Sequence, residues 1–363
     1  MVVMEVVPMT QNAPAPSLTA ATGAATSATP STVDVLVVGG GAAGLNGALV
    51  LARARRSVLV VDSGTPRNAP AAGVHGFLTR DGMPPAELIA AGRAEVESYG
   101  GTVVDGEVVG ARRQGERFVV TLADGRRIGA RRLLVTTGLV DELPDIPGVA
   151  ERWGRDVLHC PYCHGWEVRD QPVGIIASSP MAMHQVLLFR QLTADLTLFL
   201  NDAFEPSDED WEKLAARGVA VIDGAVAGLE VTDDHLAGVR LASGTVIPLR
   251  AAVVAPRFRA RSTILVQLGL TPTPHPMGMG EYIASGAMGV TDVAGVWVAG
   301  NVTDLSAQVI VSAAGGLAAG ASINADLVAE DTERAVEDRR EPFSAAAEAR
   351  NAELVLGNRR HGL

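Results

Sequence analysis

The sequence predicts an α/β protein made of two doubly wound, three-layer domains, and three observations carry that prediction. An apolar run, Val33–Val38, leads straight into a glycine-rich turn, a helical stretch from Leu45 to Arg55, and a second apolar run, Ser57–Val61, that ends in Asp62. The middle of the chain repeats this rhythm, with strand-like Val173–Ala177, helix-like Met181–Leu192 and strand-like Leu196–Leu200; Ser207 then caps a helix that stops at Gly218. Near the end, the short buried run Val296–Ala299 leads into Gly300-Asn301 and an Ala/Gly-rich helix. Strand–turn–helix units at separate places suggest two nucleotide-binding-type domains.

Length and composition agree. A chain of 363 residues suggests roughly two domains of ~150 residues, each able to bury a core without covalent staples. Two cysteines exclude a disulfide-dense scaffold, a four-cysteine zinc site and an iron–sulfur cluster. With 41 acidic against 30 basic residues and a net charge of −11, the chain lacks the clustered Lys/Arg that phosphate contacts need, so no nucleic-acid partner is expected. Forty glycines exceed the ~7% norm and point to close approach of backbone to a ligand. The charge-free stretch 305–325 is mostly Ala, Gly and Ser, which reads as a buried helix rather than a membrane span. Residues 1–31, broken by prolines and lacking a basic start, are expected to be a disordered extension. The expected compartment is the cytoplasm, where two cysteines three apart are expected to be redox-active. Residues 331–363 read as a polar tail with a peripheral helix at Ala345–Leu356.

The first turn, Gly39-x-Gly41-Ala42-Ala43-Gly44, is a dinucleotide fingerprint, because both flanking strands and an acid, Asp62, accompany it. Gly39 makes the tight turn, Gly41 lets the backbone approach a pyrophosphate, and Gly44 lets helix pack on strand. The phosphates would sit at a helix N-terminus, with Asp62 on the ribose hydroxyls. NAD and FAD both fit this motif. Two further loops at strand ends, Thr136-Thr137-Gly138 and Gly300-Asn301, favour the longer flavin dinucleotide.

The stretch His159-Cys160-Pro161-Tyr162-Cys163-His164-Gly165-Trp166 carries the chemistry. A CxxC spacing allows a small disulfide ring that opens and closes with little backbone motion, and such pairs have depressed thiolate pKa values. His164 is placed to move the proton that thiol–disulfide exchange requires. Four ligands within six residues can hardly surround one ion, so no metal is expected.

A fingerprint near the start, a mid-chain CxxC and a Gly-rich loop near the end together resemble the low-molecular-weight thioredoxin reductases across about residues 33–330. The CPYCHGWE version looks most like the dithiol oxidases of the gliotoxin and holomycin type. The resemblance implies a Rossmann-like FAD domain from residues 32–153 and 257–330, with a second Rossmann-like domain, 154–256, carrying the CxxC and inserted between them. It further implies a homodimer, FAD contacts from Asn68, Thr136, Gly138, Gly300, Asn301 and Gln308, a flavin-facing Cys163, and an interchange sulfur at Cys160. His164 falls where those reductases carry an acidic proton donor, and Asn301 where they usually carry Asp. His75-Gly76-Phe77-Leu78 is expected near the flavin by the same analogy.

The chain departs from the reductases at the second turn, Ala177-Ser178-Ser179-Pro180-Met181-Ala182. Ser179 stands where glycine should admit a pyrophosphate, Pro180 restricts the turn, and no arginine pair follows the next strand. The inserted domain is therefore expected to have kept its fold and lost NADPH. The expected function is an oxidase: a small-molecule dithiol reduces the cysteine pair, electrons reach FAD, and dioxygen returns as hydrogen peroxide. A true NAD(P)H-dependent reductase of a thioredoxin-like protein is the alternative, and a non-catalytic flavin redox sensor a remote one. His159 is expected to orient the pair, Trp153 and Trp166 to pack in the core, and Asp304 to cap a late helix starting near Leu305.

Overall fold

The computed structural model describes residues 31–340 and 345–356; the expected disordered extension, but for Ser31, lies outside them. The first βαβ unit is β1 (Thr32–Val38), α1 (Ala42–Arg53) and β2 (Val58–Asp62). After it come α2 (Pro85–Ser98), β3 (Thr102–Asp105), the hairpin strands β4 (Val108–Gln114) and β5 (Arg117–Leu122), β6 (Arg127–Val135) and β7 (Leu139–Glu142). The second unit holds α3 (Val149–Arg152), β8 (Val157–Leu158), α4 (Pro161–His164), β9 (Val173–Ile176), α5 (Ala182–Phe189), β10 (Leu196–Phe199), α6 (Asp208–Ala216) and β11 (Ala220–Ile222). It closes with β12 (Val226–Thr232), β13 (His235–Leu241), β14 (Val246–Pro248) and β15 (Ala251–Val253). The chain then returns through β16 (Arg257–Ala260), α7 (Thr263–Gln267), β17 (Pro272–Pro274), β18 (Gly280–Ile283) and β19 (Val296–Val298) to α8 (Val309–Arg340) and α9 (Ala345–Leu356).

The first sheet runs β3-β2-β1-β6-β5-β4. Strand β6 is long enough to do two jobs. Its first half forms an antiparallel pair with β5 (Phe118 opposite Ala130), and its second half takes β19 in parallel (Val298 opposite Val135). The second sheet, β11-β10-β9-β15-β8, is wholly parallel, and its central strands Val173–Ile176 and Leu196–Phe199 are buried throughout, as a sheet covered on both faces requires. A three-stranded antiparallel sheet, β12-β13-β14, extends this unit. The two connections between units are strands: β7 leaves the first and β16 returns, paired antiparallel with Glu142 opposite Arg257 and Leu139 opposite Ala260.

Three sequence expectations shift. The inserted unit begins before residue 154, because Val149 lies in the same buried cluster as Val157, Ile176 and Phe199, with Leu143, Ile146 and Trp153 packed against it. Buried Arg152 anchors this entry, pairing with Asp156 and Asp234. The late helix begins at Val309 rather than near Leu305. Asp304 instead closes a turn, its Oδ1 accepting from Ser306 N and Oγ at 3.0 and 2.8 Å. That helix also continues past 330 to Arg340, since Asp331 accepts from both Arg56 (2.6 Å) and Arg131 (2.5 Å) on the first unit. Ser207 does cap α6, through a capping box with Asp210.

Glycine explains why α8 is so poor in large side chains. Helices α1 and α8 pack closely: a Cβ on Gly316 would stand 1.9 Å from Ala43 O, and one on Gly320 would stand 2.7 Å from Gly47 O. Gly47 itself faces Leu134 and Gly316 O. Helix α8 is the one helix among the described residues long and apolar enough by composition to cross a membrane, and this small-residue face is spent on α1. Replacing Gly316 with alanine should therefore lower stability by about 1–3 kcal/mol, as overpacking does. Gly315→Ala, where the nearest atom is 3.9 Å away, should stay within ~1 kcal/mol of the parent. Denaturant unfolding of the two variants checks the pair, and equal losses would contradict the close approach.

Candidate active site

One cavity of about 1930 Å³ collects the strand-end loops of the first unit and the dithiol of the second. Of the predicted site residues, Gly39, Gly41, Ala42, Ala43, Asp62, Asn68, Thr136, Gly138, Gly300, Asn301, Gln308, Cys160, Cys163 and His164 all line it; Gly44 does not. Gly44 lies underneath, where a Cβ would stand 1.9 Å from Gly39 O, so its role is to let α1 seat under the turn.

The turn fits a dinucleotide pyrophosphate. Gly39 has φ +102°, and a Cβ there would meet Thr136 O at 2.5 Å. Gly41 is the informative one. Its φ of −76° suits any residue, no side chain caps the helix there, and a Cβ would meet nothing within 4 Å. Nothing in the protein itself requires glycine at 41; free space at a helix N-terminus is what a phosphate needs. Asp62 accepts from Gly40 N (3.0 Å) and from Arg93 (2.9 Å), which also pairs with Asp105 (2.8 Å). It thus braces the turn from below while its carboxylate lines the cavity. Arg93 carries no motif, and sequence reasoning missed it.

Two predicted flavin contacts are committed to the protein itself. The Thr136 hydroxyl donates to Val38 O (3.1 Å) or Gly39 O (2.8 Å) and so locks the turn. The Asn301 amide donates to Asp304 O (3.0 Å) and Ala307 O (2.9 Å), shaping the loop before α8. Gly138 and Gly300 take positive φ (+70° and +74°), which glycine alone adopts cheaply.

Cys160 caps the short helix α4, and Cys163 follows one turn later. Both are free thiols, with Cys163 Sγ donating to Cys160 Sγ at 2.6 Å. That hydrogen bond lowers the Cys160 pKa to about 7 against the cost of burial; the amides of Tyr162 and Cys163 and the charge of Arg67 add to it. Cys163 moves the other way, raised by the same hydrogen bond, by burial and by the Cys160 charge. Cys160 is therefore the thiolate of the pair.

Arg67 is aimed by a bidentate pair with Asp141 (2.8 and 2.6 Å) and lies over the Phe258 ring at 5.0 Å. Arg67 carries no motif of its own, since β7 and β16 supply its partners. His159 is held by Val254 O (3.1 Å) and meets Phe258 edge-on at 5.3 Å; Gln185 donates to His159 O. It fixes the strand before the dithiol. Among the described residues no cluster of three His, Cys, Asp or Glu is placed to hold a metal. His164 is largely buried, its Nε2 has no hydrogen-bond partner, and burial lowers its pKa despite Glu167 nearby. His164 lines the cavity, and a neutral imidazole with an unpartnered nitrogen can take a thiol proton. Trp166, expected in the core, is 65% exposed and stacks under Arg169 at 4.1 Å.

The second turn differs in kind from the first. Ser179 Oγ accepts from Met181 N (3.3 Å), filling the end of α5 with its own hydroxyl. At the end of β10, Asn201 donates to Ala177 O (3.1 Å) and accepts from Val226 N (2.9 Å), bridging the crevice between strands.

A glycine cradle at the end of a parallel strand in one sheet, sharing a cavity with a thiol pair carried by the second unit, defines a flavin-type disulfide oxidoreductase. Residues 33–318 match the family model described as pyridine nucleotide-disulphide oxidoreductase, and the chain belongs to that family, whose thioredoxin reductase-like members bind FAD. It is similar to "Thioredoxin reductase sirT" from Leptosphaeria maculans, at 30% identity over 83% of this chain and 96% of that protein. It also matches "Probable thioredoxin reductase" from Arthroderma benhamiae at 33% identity, over 49% of this chain and 45% of that protein. Among solved structures, HlmI superposes with a TM-score of 0.81 at 48% identity, covering 86% of this chain and 98% of that one.

Because the folded-state pKa of Cys160 is lowered, its thiolate is present above about pH 7 and lost below it. Alkylation of the reduced protein by iodoacetamide should rise with a midpoint near pH 7, below the ~8.5 of a free thiol. Cys163→Ala removes the donor and should move the midpoint up; an unmoved midpoint would remove the basis for assigning the thiolate to Cys160.

Proposed function

We propose that this thioredoxin reductase-like flavoprotein is an oxygen-dependent dithiol oxidase that closes a disulfide in a small molecule and releases hydrogen peroxide. The observation that carries this reading is the second turn. Ser179 and Pro180 replace the open glycine cradle, and Asn201 spans the crevice where a dinucleotide would lie, which argues against NAD(P)H as electron source. The resemblance of CPYCHGWE to gliotoxin- and holomycin-type oxidases supports the same direction. With no reduced nicotinamide, electrons enter from the thiol side.

The substrate thiolate attacks Cys160 Sγ, and the Cys160–Cys163 bond breaks with Cys163 as the leaving sulfur. The substrate's second sulfur then displaces Cys160, whose low pKa makes it the better leaving group in that step. His164 Nε2 takes the substrate's thiol proton, and Cys163 holds the second position of the pair. The Gly39–Gly44 turn with the loops at Gly138 and Gly300 would hold FAD, which would supply two-electron acceptor chemistry and reoxidation by dioxygen. A cytoplasmic homodimer is part of the proposal, and exposed Ile310, Val311 and Leu317 along α8 suit a subunit contact.

A second reading, an NAD(P)H-dependent disulfide reductase, is favoured by the name thioredoxin reductase that the relatives from Arthroderma benhamiae and Leptosphaeria maculans carry. Anaerobic titration of the yellow protein separates the two. Dithiothreitol alone should bleach the flavin band, and air should restore it with peroxide formed. Cys163→Ser should slow that bleaching by more than ~10³-fold, as loss of a covalent participant does. Rapid bleaching by NADPH would establish the reductase instead.

A further inference from the structure

The loop 74–83 belongs to the first unit but reaches Glu167, just beyond the helix that carries the dithiol. It is closed by Val74 N to Met83 O (2.9 Å) and Gly82 N to Val74 O (2.8 Å), while Asp81 accepts from Gly76 N (2.9 Å). This geometry presents His75 to two carboxylates on opposite sides. Its Nδ1 lies 3.4 Å from Asp81 and its Nε2 lies 3.6 Å from Glu167, three residues beyond His164. His75 and His164 line the same cavity. Exposure rises steadily along this series. His164 Nε2 is sealed from solvent, and the side chains of His75, Glu167 and Asp81 are 26%, 45% and 66% exposed. The charged groups facing His75 are Asp81 from its own loop and Glu167 and His164 from the dithiol side; those facing His164 are Glu167 and His75.

We propose that His75, flanked by Glu167 and Asp81, is the proton exit of the dithiol centre: a positioning residue that empties His164 to solvent. The proposal rests on the dithiol-oxidase reading. In that reaction the substrate loses two S–H bonds and gains one S–S bond, the Cys160–Cys163 bond breaks, and the electron pair passes to the two cysteines. One proton ends on the Cys163 thiol. Cys160 is left as thiolate, so the other proton must leave, through His164 and then His75. The 3.6 Å between His75 Nε2 and Glu167 is longer than a hydrogen bond and closes by a small rotation of the ring. The carboxylates stabilise the imidazolium that forms transiently at His75.

The thiol step can be followed without relying on flavin turnover. Oxidised holoenzyme is mixed with dithiothreitol, quenched in acid and alkylated, and the free protein thiols are counted by mass. His75→Ala should open the disulfide roughly tenfold more slowly near neutral pH, a part of the ~10²–10⁴ a direct general base supplies. Added imidazole should restore the rate, which a purely structural loss would not allow. His75→Gln, closer in shape, should be as slow as His75→Ala, and Glu167→Gln should shift the acid side of the rate–pH profile. Wild-type rates in both His75 variants, or a slowdown untouched by imidazole, would overturn the proposal. A wild-type protein whose disulfide dithiothreitol does not open would sink the oxidase reading itself, and the exit with it.

Discussion

The close seating of α1 is the constraint on which the site depends. Its first turn presses on the β1 turn at Gly39 and Gly44, and its outer face presses on α8 at Gly47, Gly316 and Gly320. A methyl group at Gly44 or Gly316 would meet a backbone oxygen at 1.9 Å, so the helix cannot move outward or inward without rebuilding the turn. That fixes the direction in which the free amides of its N-terminus point, into the cavity beside Gly41. The helix dipole is then available to a ligand rather than to a capping side chain.

The pairing of β7 with β16 is the second constraint. An inserted unit joined by two loose connections could sit anywhere; joined by two adjacent strands, it is held by backbone hydrogen bonds and by Arg257 and Arg259 on Glu142 (2.9 and 2.5 Å). The same two strands supply Asp141 and Phe258, which aim Arg67. Domain linkage and dithiol electrostatics are therefore one piece of structure, and a change in the β7–β16 register would alter the charge felt by Cys160.

The two turns show how one fold hosts a cradle in one place and fills it in another. Both stand at the carboxyl ends of parallel strands, where open α/β sheets bind ligands. At the first, glycine leaves space that no protein atom occupies. At the second, Ser179 accepts from Met181 N and Asn201 donates to Ala177 O, so side chains bond to the backbone where the first turn has glycine. The difference lies in a few side chains rather than in topology.

Much of this was legible in the amino-acid order, because glycine spacing and strand periodicity are local properties. Gly39-x-Gly41-x-x-Gly44 with Asp62, the CxxC and the cap at Ser207 each follow from residues within a short stretch. The tertiary structure decided what depends on distant partners. Asp304 has the composition of a helix cap, but Asn301 holds its carbonyl and delays the helix to Val309. Thr136 lines the cavity as its sequence position suggests, but that its hydroxyl donates to Val38 O or Gly39 O and locks the turn is set by the fold. The sequence determined that a thiol pair and a dinucleotide cradle exist. Only folding decided that Cys160 is the thiolate, that the charge of Arg67 reaches it, and that His75 and Glu167 face His164, since a charge's effect depends on separation and burial, which spacing along the chain does not encode.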